Sequence, residues 1–252
     1  MPVEPKLAAT VILLRKRTAD INTDDCEFEV FMAKRHENNR FLGGHHVFPG
    51  GSIDNQDLSK ESRERIIGLD KDFMINLKEI HEDPSIIWII AIRELFEETG
   101  ILLATNGSGD LIAISEENKK KIQRYQEDLQ KKRKTMTNIL VSENLYYNAA
   151  KIRYFGRLVT PPMSPIRFDT QFLLCEIPQQ QDINLFNDEL LEGFWGSPKQ
   201  ILKLNKKNQI KIIFPQYSTL RRLNKFKTIQ EAFNNSKMTF KNNQFIRLGN
   251  NS

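Results

Sequence analysis

Residues 83–101 read Asp-Pro-Ser-Ile-Ile-Trp-Ile-Ile-Ala-Ile-Arg-Glu-Leu-Phe-Glu-Glu-Thr-Gly-Ile. Asp83 before Pro84 is a helix-start pair: a carboxylate to cap free N–H groups, then a ring with φ already fixed near the helical value. A helix is expected over 84–99, with Gly100 ending it, because glycine takes the left-handed conformation without a Cβ penalty. Ile89, Ile92, Leu95 and Phe96, with Trp88, make an apolar stripe that can anchor this helix on a core. Glu94, Glu97 and Glu98 stand at i, i+3 and i+4 and share another face within one turn. Carboxylates that close repel one another, and the helix C-terminus is the wrong end of the macrodipole for them. A divalent cation relieves both conflicts, since Mg²⁺ and Mn²⁺ favour oxygen ligands. A solvated helix end carrying an Arg93–Glu97 ion pair accounts equally well for the glutamates taken alone.

Upstream, residues 7–14 and 28–33 are apolar and β-branched and read as strands. Residues 35–51 look like a loop, with Phe48-Pro49-Gly50-Gly51 as a sharp turn. A polar stretch follows, with a helical patch at 59–67. Beyond the carboxylate helix, 101–104 begins a strand. Residues 115–134, dense in Glu, Lys and Gln, read as an exposed helix whose charges form a solvated face, with a partner helix over 137–150. Strands are expected at 152–159, 170–177 and 210–214, and a helix start at Ser197-Pro198. One or two helices should cover 216–234, and a hairpin should turn around Asn242-Asn243. With no repeat and no long linker, residues 1–252 are read as a single α/β domain with helical insertions at about 58–83 and 111–150.

Composition narrows the class. Of 252 residues, 39% are hydrophobic and 27% charged, which is globular and not disordered, and the net charge of +5 suits an anionic ligand. Cys26 and Cys175 form no CxxC pair and read as small buried residues. No apolar run reaches membrane-spanning length and no secretory leader pattern opens the chain. A cytoplasmic location is expected, with neither nucleic acid nor membrane as partner and a homodimer left open.

The segment from Arg93 to Ile101 resembles the second half of the Nudix signature, Arg-Glu-apolar-any-Glu-Glu-any-Gly-apolar. The first half fits at Gly51, whose sixth residue on is Asp57 where the family has Glu. Thirty-five residues separate Asp57 from Arg93, against seven in the plain signature, an insertion of 28. An interrupted box of this kind resembles the NUDT19-like coenzyme A diphosphatases. The upstream spacing of that subgroup is kept by Arg35, Arg40, Gly44 and Phe48-Pro49-Gly50-Gly51, with His36 in place of Ser or Ala. Downstream, Thr160-Pro161-Pro162, Arg167-Phe168-Asp169-Thr170 and 215–223 look similar too. The chain ends Asn250-Asn251-Ser252, unlike a peroxisomal address.

The resemblance implies an α/β/α sandwich with a mixed sheet. It also implies hydrolysis of a diphosphate, coenzyme A or acyl-coenzyme A, with Mg²⁺ or Mn²⁺. Glu97 and Glu98 are implied metal ligands, joined by Glu94 and the Gly51 carbonyl. Glu94 has a mixed role as ligand or general base, Glu98 is counted with the catalytic set, and Arg93 orients the carboxylates. Arg35 and Arg40, with Gly50 and Gly51, are the expected substrate contacts, although each Arg taken alone reads equally as surface charge. His45 and His46 read as loop residues, Arg221 and Arg222 as a solvated helix face, and Phe73, Met74 and Leu77 as core. Other substrates of the same chemistry, such as ADP-ribose, a nucleotide sugar or a nucleoside triphosphate, stay open, as does a non-catalytic nucleotide-binding module.

Overall fold

The structure is a computed structural model that describes residues 3–18, 26–39, 42–185, 190–236, 238–241 and 244–247. Its centre is a mixed sheet. Strands β1 (Lys6–Lys16) and β2 (Phe28–Arg35) form an antiparallel pair, and the short β3 (His46–Val47) and β4 (Gly50–Ser52) lie beside them. Next come α1 (Lys60–Glu64), β5 (Ile66–Ile67), α2 (Lys71–Ile75), the carboxylate helix α3 (Ser85–Thr99) and β6 (Ala104–Thr105). Then follow α4 (Glu116–Gln130), α5 (Met136–Ser142), β7 (Tyr146–Asn148), β8 (Ile152–Val159), β9 (Phe168–Glu176) and β10 (Leu190–Gly196). The chain closes with α6 (Pro198–Lys206), α7 (Phe214–Leu223), α8 (Ile229–Asn234) and the hairpin β11 (Met238–Lys241) and β12 (Gln244–Arg247). The hairpin's expected turn, Asn242-Asn243, lies outside the described residues.

The sheet runs β10-β2-β1-β9-β8, with β1 and β9 parallel and the other pairs antiparallel. Side chains alternate across it. Ala9, Val11 and Leu13 of β1 and Phe31 and Ala33 of β2 join one core, which holds α3. Ile12, Leu14, Val30 and Met32 join a second core closed by Ile201 of α6, Leu220 and Leu223 of α7, and Ile229 of α8. Both faces of the sheet are therefore covered, the expected α/β/α sandwich.

Strand β1 pairs with β2 only from Leu14 to Lys16. Before that the two diverge, and the gap is filled by β4 on β1 (Ala8 to Thr10 against Ser52 to Gly50) and by β3 on β2. Phe48-Pro49-Gly50-Gly51 is thus wedged in a fork of the sheet, held by Val11 N–H to Pro49 O at 2.8 Å. Helix α3 lies over this fork. Its burial is wider than the expected stripe, since Ile86 through Arg93, Leu95 and Phe96 are all buried. Each such large apolar side chain contributes roughly 1.5–3 kcal/mol.

Several expectations need correction. The inserted segments are not purely helical, because β5, β7 and β6 make a small three-stranded sheet of their own. The helix expected over 137–150 stops at Ser142. Asn144 takes φ 52, a left-handed stop that asparagine tolerates, and the aromatic pair Tyr146-Tyr147 continues as strand. Residues 210–214 form no strand: Pro215 sits in the first turn of α7, where its missing N–H costs nothing. The charged helix α4 is not solvated all round, since Ile122, Tyr125, Gln126 and Leu129 are buried. Pro84 falls one residue outside α3, yet Asp83 still caps it, accepting the Ser85 N–H at 3.1 Å.

Candidate active site

Arg93 is 3% exposed and organises the site. Its Nε and Nη2 donate to the two oxygens of Asp57 at 2.7 and 2.9 Å. Nη2 also reaches Ser52 O at 3.1 Å, and Nη1 donates to Glu94 at 2.8 Å and to Glu97 at 3.4 Å. A bidentate fork is the arrangement a planar guanidinium favours. Burial alone would lower the pKa of Arg93. Glu94 and Asp57 outweigh that effect and hold it above the ordinary range.

Asp57 closes the loop that the insertion opens. Its carboxylate caps a short 3₁₀ turn (Asn55–Leu58) by accepting the Asp54 N–H at 2.8 Å, while the same group holds Arg93. The two ends of the interrupted motif therefore meet despite the 35 residues between them. Sequence reasoning left Asp57 without a role. Its place two residues before Ser59, a helix cap, was the available signal.

Glu98 accepts the Gly50 N–H at 2.8 Å, which ties α3 to the bend. A Cβ at Gly51 would lie 2.3 Å from Glu94 Oε1, so only glycine lets the bend approach that carboxylate. Gly50, at φ +153, faces backbone: a Cβ there would come within 2.4 Å of the Ala9 carbonyl oxygen. The Glu94 carboxyl is pushed up to about 7, first by burial and also by Glu97, against the pull of Arg93. The carbonyls at the end of α3 find partners in the inserted helix and beyond. Gln126 and Gln130 donate to Glu97 O at 3.2 and 2.8 Å, and Asn184 N–H to Thr99 O at 2.8 Å.

Glu94, Glu97 and Glu98 share one cavity of about 680 Å³ with Gly50, Gly51, Arg93 and Arg35. Arg40 lies outside the described residues. The downstream stretches reach the same cavity through Thr160, Phe168, Thr170 and Gln216. Lys6, Lys132 and Lys134 line it too, and the sequence reading missed them. The spacing of Ile122, Tyr125 and Leu129 was the signal that α4 packs inward and brings its end to the site.

Other candidates stand elsewhere. His46 is buried in a separate cleft, its ring edge on Phe194, and burial lowers its pKa. Arg222 is not on a solvated face: it is buried, stacks 3.6 Å over the Phe155 ring and donates to Phe155 O and Asn235 O, while Arg221 is exposed. Phe73 and Leu77 are core, with Met74 packed against it. Cys26 and Cys175 are free and buried.

The carboxylates offer hard oxygen donors, which suits Mg²⁺ or Mn²⁺. One oxygen of each is engaged, Glu94 and Glu97 by Arg93 and Glu98 by the Gly50 N–H, and among the described residues no three His, Cys, Asp or Glu side chains already converge on one point. The donor chemistry fits such an ion, and Glu97 adds its repulsion to the burial that raises the Glu94 carboxyl, a conflict that a cation would relieve.

Comparison with known proteins agrees with the geometry. The family model of the NUDT19 Nudix domain matches residues 79–223, more than half of the chain. An acyl-coenzyme A diphosphatase NUDT19 from Xenopus laevis is 27% identical over a 240-residue alignment that covers 83% of this chain and 63% of that protein. A second curated relative, from Caenorhabditis elegans, is covered over 61% of its length, so the chain spans about three fifths of the curated relatives it matches. The crystal structure of a NUDIX hydrolase from Alicyclobacillus acidocaldarius superposes with a TM-score of 0.71 at 23% identity, covering 98% of this chain and 99% of that one, and so shares the fold. The buried Arg93 hub, the carboxylates beside the glycine bend and the match over 79–223 converge on one assignment: the chain belongs to the NUDT19 Nudix domain family.

Proposed function

We propose that this chain is a divalent-metal-dependent hydrolase of a diphosphate linkage, with coenzyme A or acyl-coenzyme A as substrate and 3′,5′-ADP and (acyl) phosphopantetheine as products. The observation that carries it is the single cavity in which Glu94, Glu97 and Glu98 face the glycine bend beside Arg35. The activity named for the Xenopus relative supports the substrate class. The cavity is of a size that accepts a cofactor-sized ligand, and Leu158, Phe168 and Phe172 give it an apolar wall for a pantetheine or acyl chain.

Glu97 and Glu98 would hold the ion, with Glu94 and the Gly51 carbonyl as further donors. When bound, the ion neutralises diphosphate charge and makes the attacking water more acidic. Glu94 would serve as the base that takes a proton from the attacking water, its carboxyl raised to about 7 by burial. Arg93 keeps Glu94 and Glu97 in register, and Asp57 keeps Arg93 in place. Arg35 binds substrate phosphate, and Gly50 and Gly51 let the bend approach closely. No helix among the described residues is long and apolar enough to cross a membrane; a cytoplasmic location belongs to the same reading.

Mass-spectrometric product analysis tests it. A mixture of coenzyme A, acyl-coenzyme A, ADP-ribose and nucleoside triphosphates is incubated with Mg²⁺ or Mn²⁺. Release of 3′,5′-ADP is expected; turnover of ADP-ribose with coenzyme A and its thioesters untouched would reject the substrate.

A further inference from the structure

Helix α4 ends on the active helix itself. Gln126 and Gln130 both donate to the Glu97 carbonyl, and beyond the next loop the Met136 N–H donates to Gln56 Oε1 at 3.0 Å, one residue from the Asp57 that holds Arg93. Thr137 meets the Ser62 hydroxyl alongside. Residues 131–135 are thus tied down at both ends, and Lys132, Lys134 and Thr135 line the cavity.

Lys132 takes φ 53, in the left-handed region. Its N–H bonds Leu129 O at 2.9 Å and the next N–H, of Arg133, bonds Asp128 O at 2.8 Å. That is a helix stop whose left-handed position glycine normally fills, because a Cβ there is sterically costly. Backbone held in a costly conformation by ties on both sides is a mark of function. Lys134 is engaged with Asp128 at 3.7 Å and lies over the Tyr125 ring. Lys132 is exposed and makes no ion pair among the described residues.

We propose that Lys132 is a substrate-binding residue whose ammonium contacts the diphosphate on the Glu97 side of the cavity, the tied loop serving to aim it there. This rests on the diphosphate-hydrolase reading above. The diphosphate is the assigned contact because the loop is anchored on Glu97, whose side chain lines the cavity beside Glu94 and Glu98.

The test compares wild type with Lys132→Met, Lys132→Arg and Lys132→Gly, and with Lys119→Met on the exposed side of α4 as control. Steady-state kinetics are run with Mn²⁺ on coenzyme A and on dephospho-coenzyme A, which lacks the 3′-phosphate. Loss of one charge-assisted contact predicts a KM about tenfold higher for both substrates in Lys132→Met, with kcat within about twofold. Lys132→Arg should restore most of the affinity. Lys132→Gly should raise KM like Met while its Tm stays at or above wild type, since glycine relieves the left-handed strain. An unchanged KM in Lys132→Met, or a rise confined to coenzyme A, overturns the assignment. Calorimetric binding of ADP with Mn²⁺ separates the two layers. If wild type hydrolyses neither substrate, the hydrolase reading fails by itself, and ADP affinity then decides alone: equal binding to wild type and Lys132→Met sinks the Lys132 contact, and about tenfold weaker binding sustains it.

Discussion

Replacing Asp57 by Asn isolates the charge of the buried pair. The amide oxygen still accepts the Asp54 N–H, so the 3₁₀ cap survives, but the fork on Arg93 loses its anionic partner. The Asp57 side chain is 0% exposed and that of Arg93 is 4%, so water cannot replace what is lost. Removing one partner of a buried ion pair typically costs about 3–5 kcal/mol. Glu94 and Glu97 still face the guanidinium, which places the expected loss near the lower end, about 3 kcal/mol. For a chain of this size that corresponds to a Tm lower by roughly 6–12 °C. Urea denaturation of chelator-treated protein, followed by circular dichroism, gives the value if the slope m is unchanged. The double variant Asp57→Leu with Arg93→Met removes both charges, but it also takes the partner from the Asp54 N–H, the Ser52 carbonyl and Glu94, so it should not recover wild-type stability. An Asp57→Asn protein within about 0.5 kcal/mol of wild type would refute the idea that this pair closes the interrupted motif.

Further outcomes follow from the same geometry. Gly51→Ala pushes only the end of a flexible side chain, so stability should change by no more than about 1 kcal/mol, while displacement of Glu94 lowers kcat on the order of 10²-fold; urea midpoints and kinetics read the two separately. Gly50→Ala meets backbone of β1 instead and should unfold at clearly lower urea than Gly51→Ala. Glu98→Gln keeps an oxygen for the Gly50 N–H, so circular dichroism should be native while turnover falls on the order of 10²–10³-fold. Because Glu94 is raised to about 7 in the folded chain, the fold favours its protonated form. Its contribution is full below the unfolded value of about 4.5 and is lost as pH rises to about 7, so ion-free protein should lose Tm across that window. Saturating Mn²⁺ should flatten the loss, and a Tm rising with pH in chelator would contradict the assignment.

The legible parts of the sequence were those governed by local rules. The Asp83-Pro84 start and Gly100 stop of α3 depend only on backbone chemistry, and both stand in the structure. Continuous apolar, β-branched runs revealed β1 and β2. The wedge formed by β3 and β4 did not show, because two- and three-residue strands carry no period. The reach of α4 was masked by its charges: Lys and Glu along the helix outnumber Ile122, Tyr125 and Leu129, which turn inward, and the glutamines that grip Glu97 look like ordinary surface residues in sequence. Asp57 was left without a role, because its pairing with Arg93 is a fact of three-dimensional proximity. Arg222 looked exposed among its basic neighbours, yet a helix of that period puts one of two adjacent residues inward, and it is Arg222 that stacks on Phe155.

Mn²⁺ binding followed by electron paramagnetic resonance bears most directly on the carboxylate helix. Wild-type protein should take the ion out of the free hexaaqua signal, and Glu97→Gln or Glu98→Gln should leave most of it in solution while circular dichroism stays native. Equal uptake by wild type and both variants would contradict the claim that these side chains hold the metal.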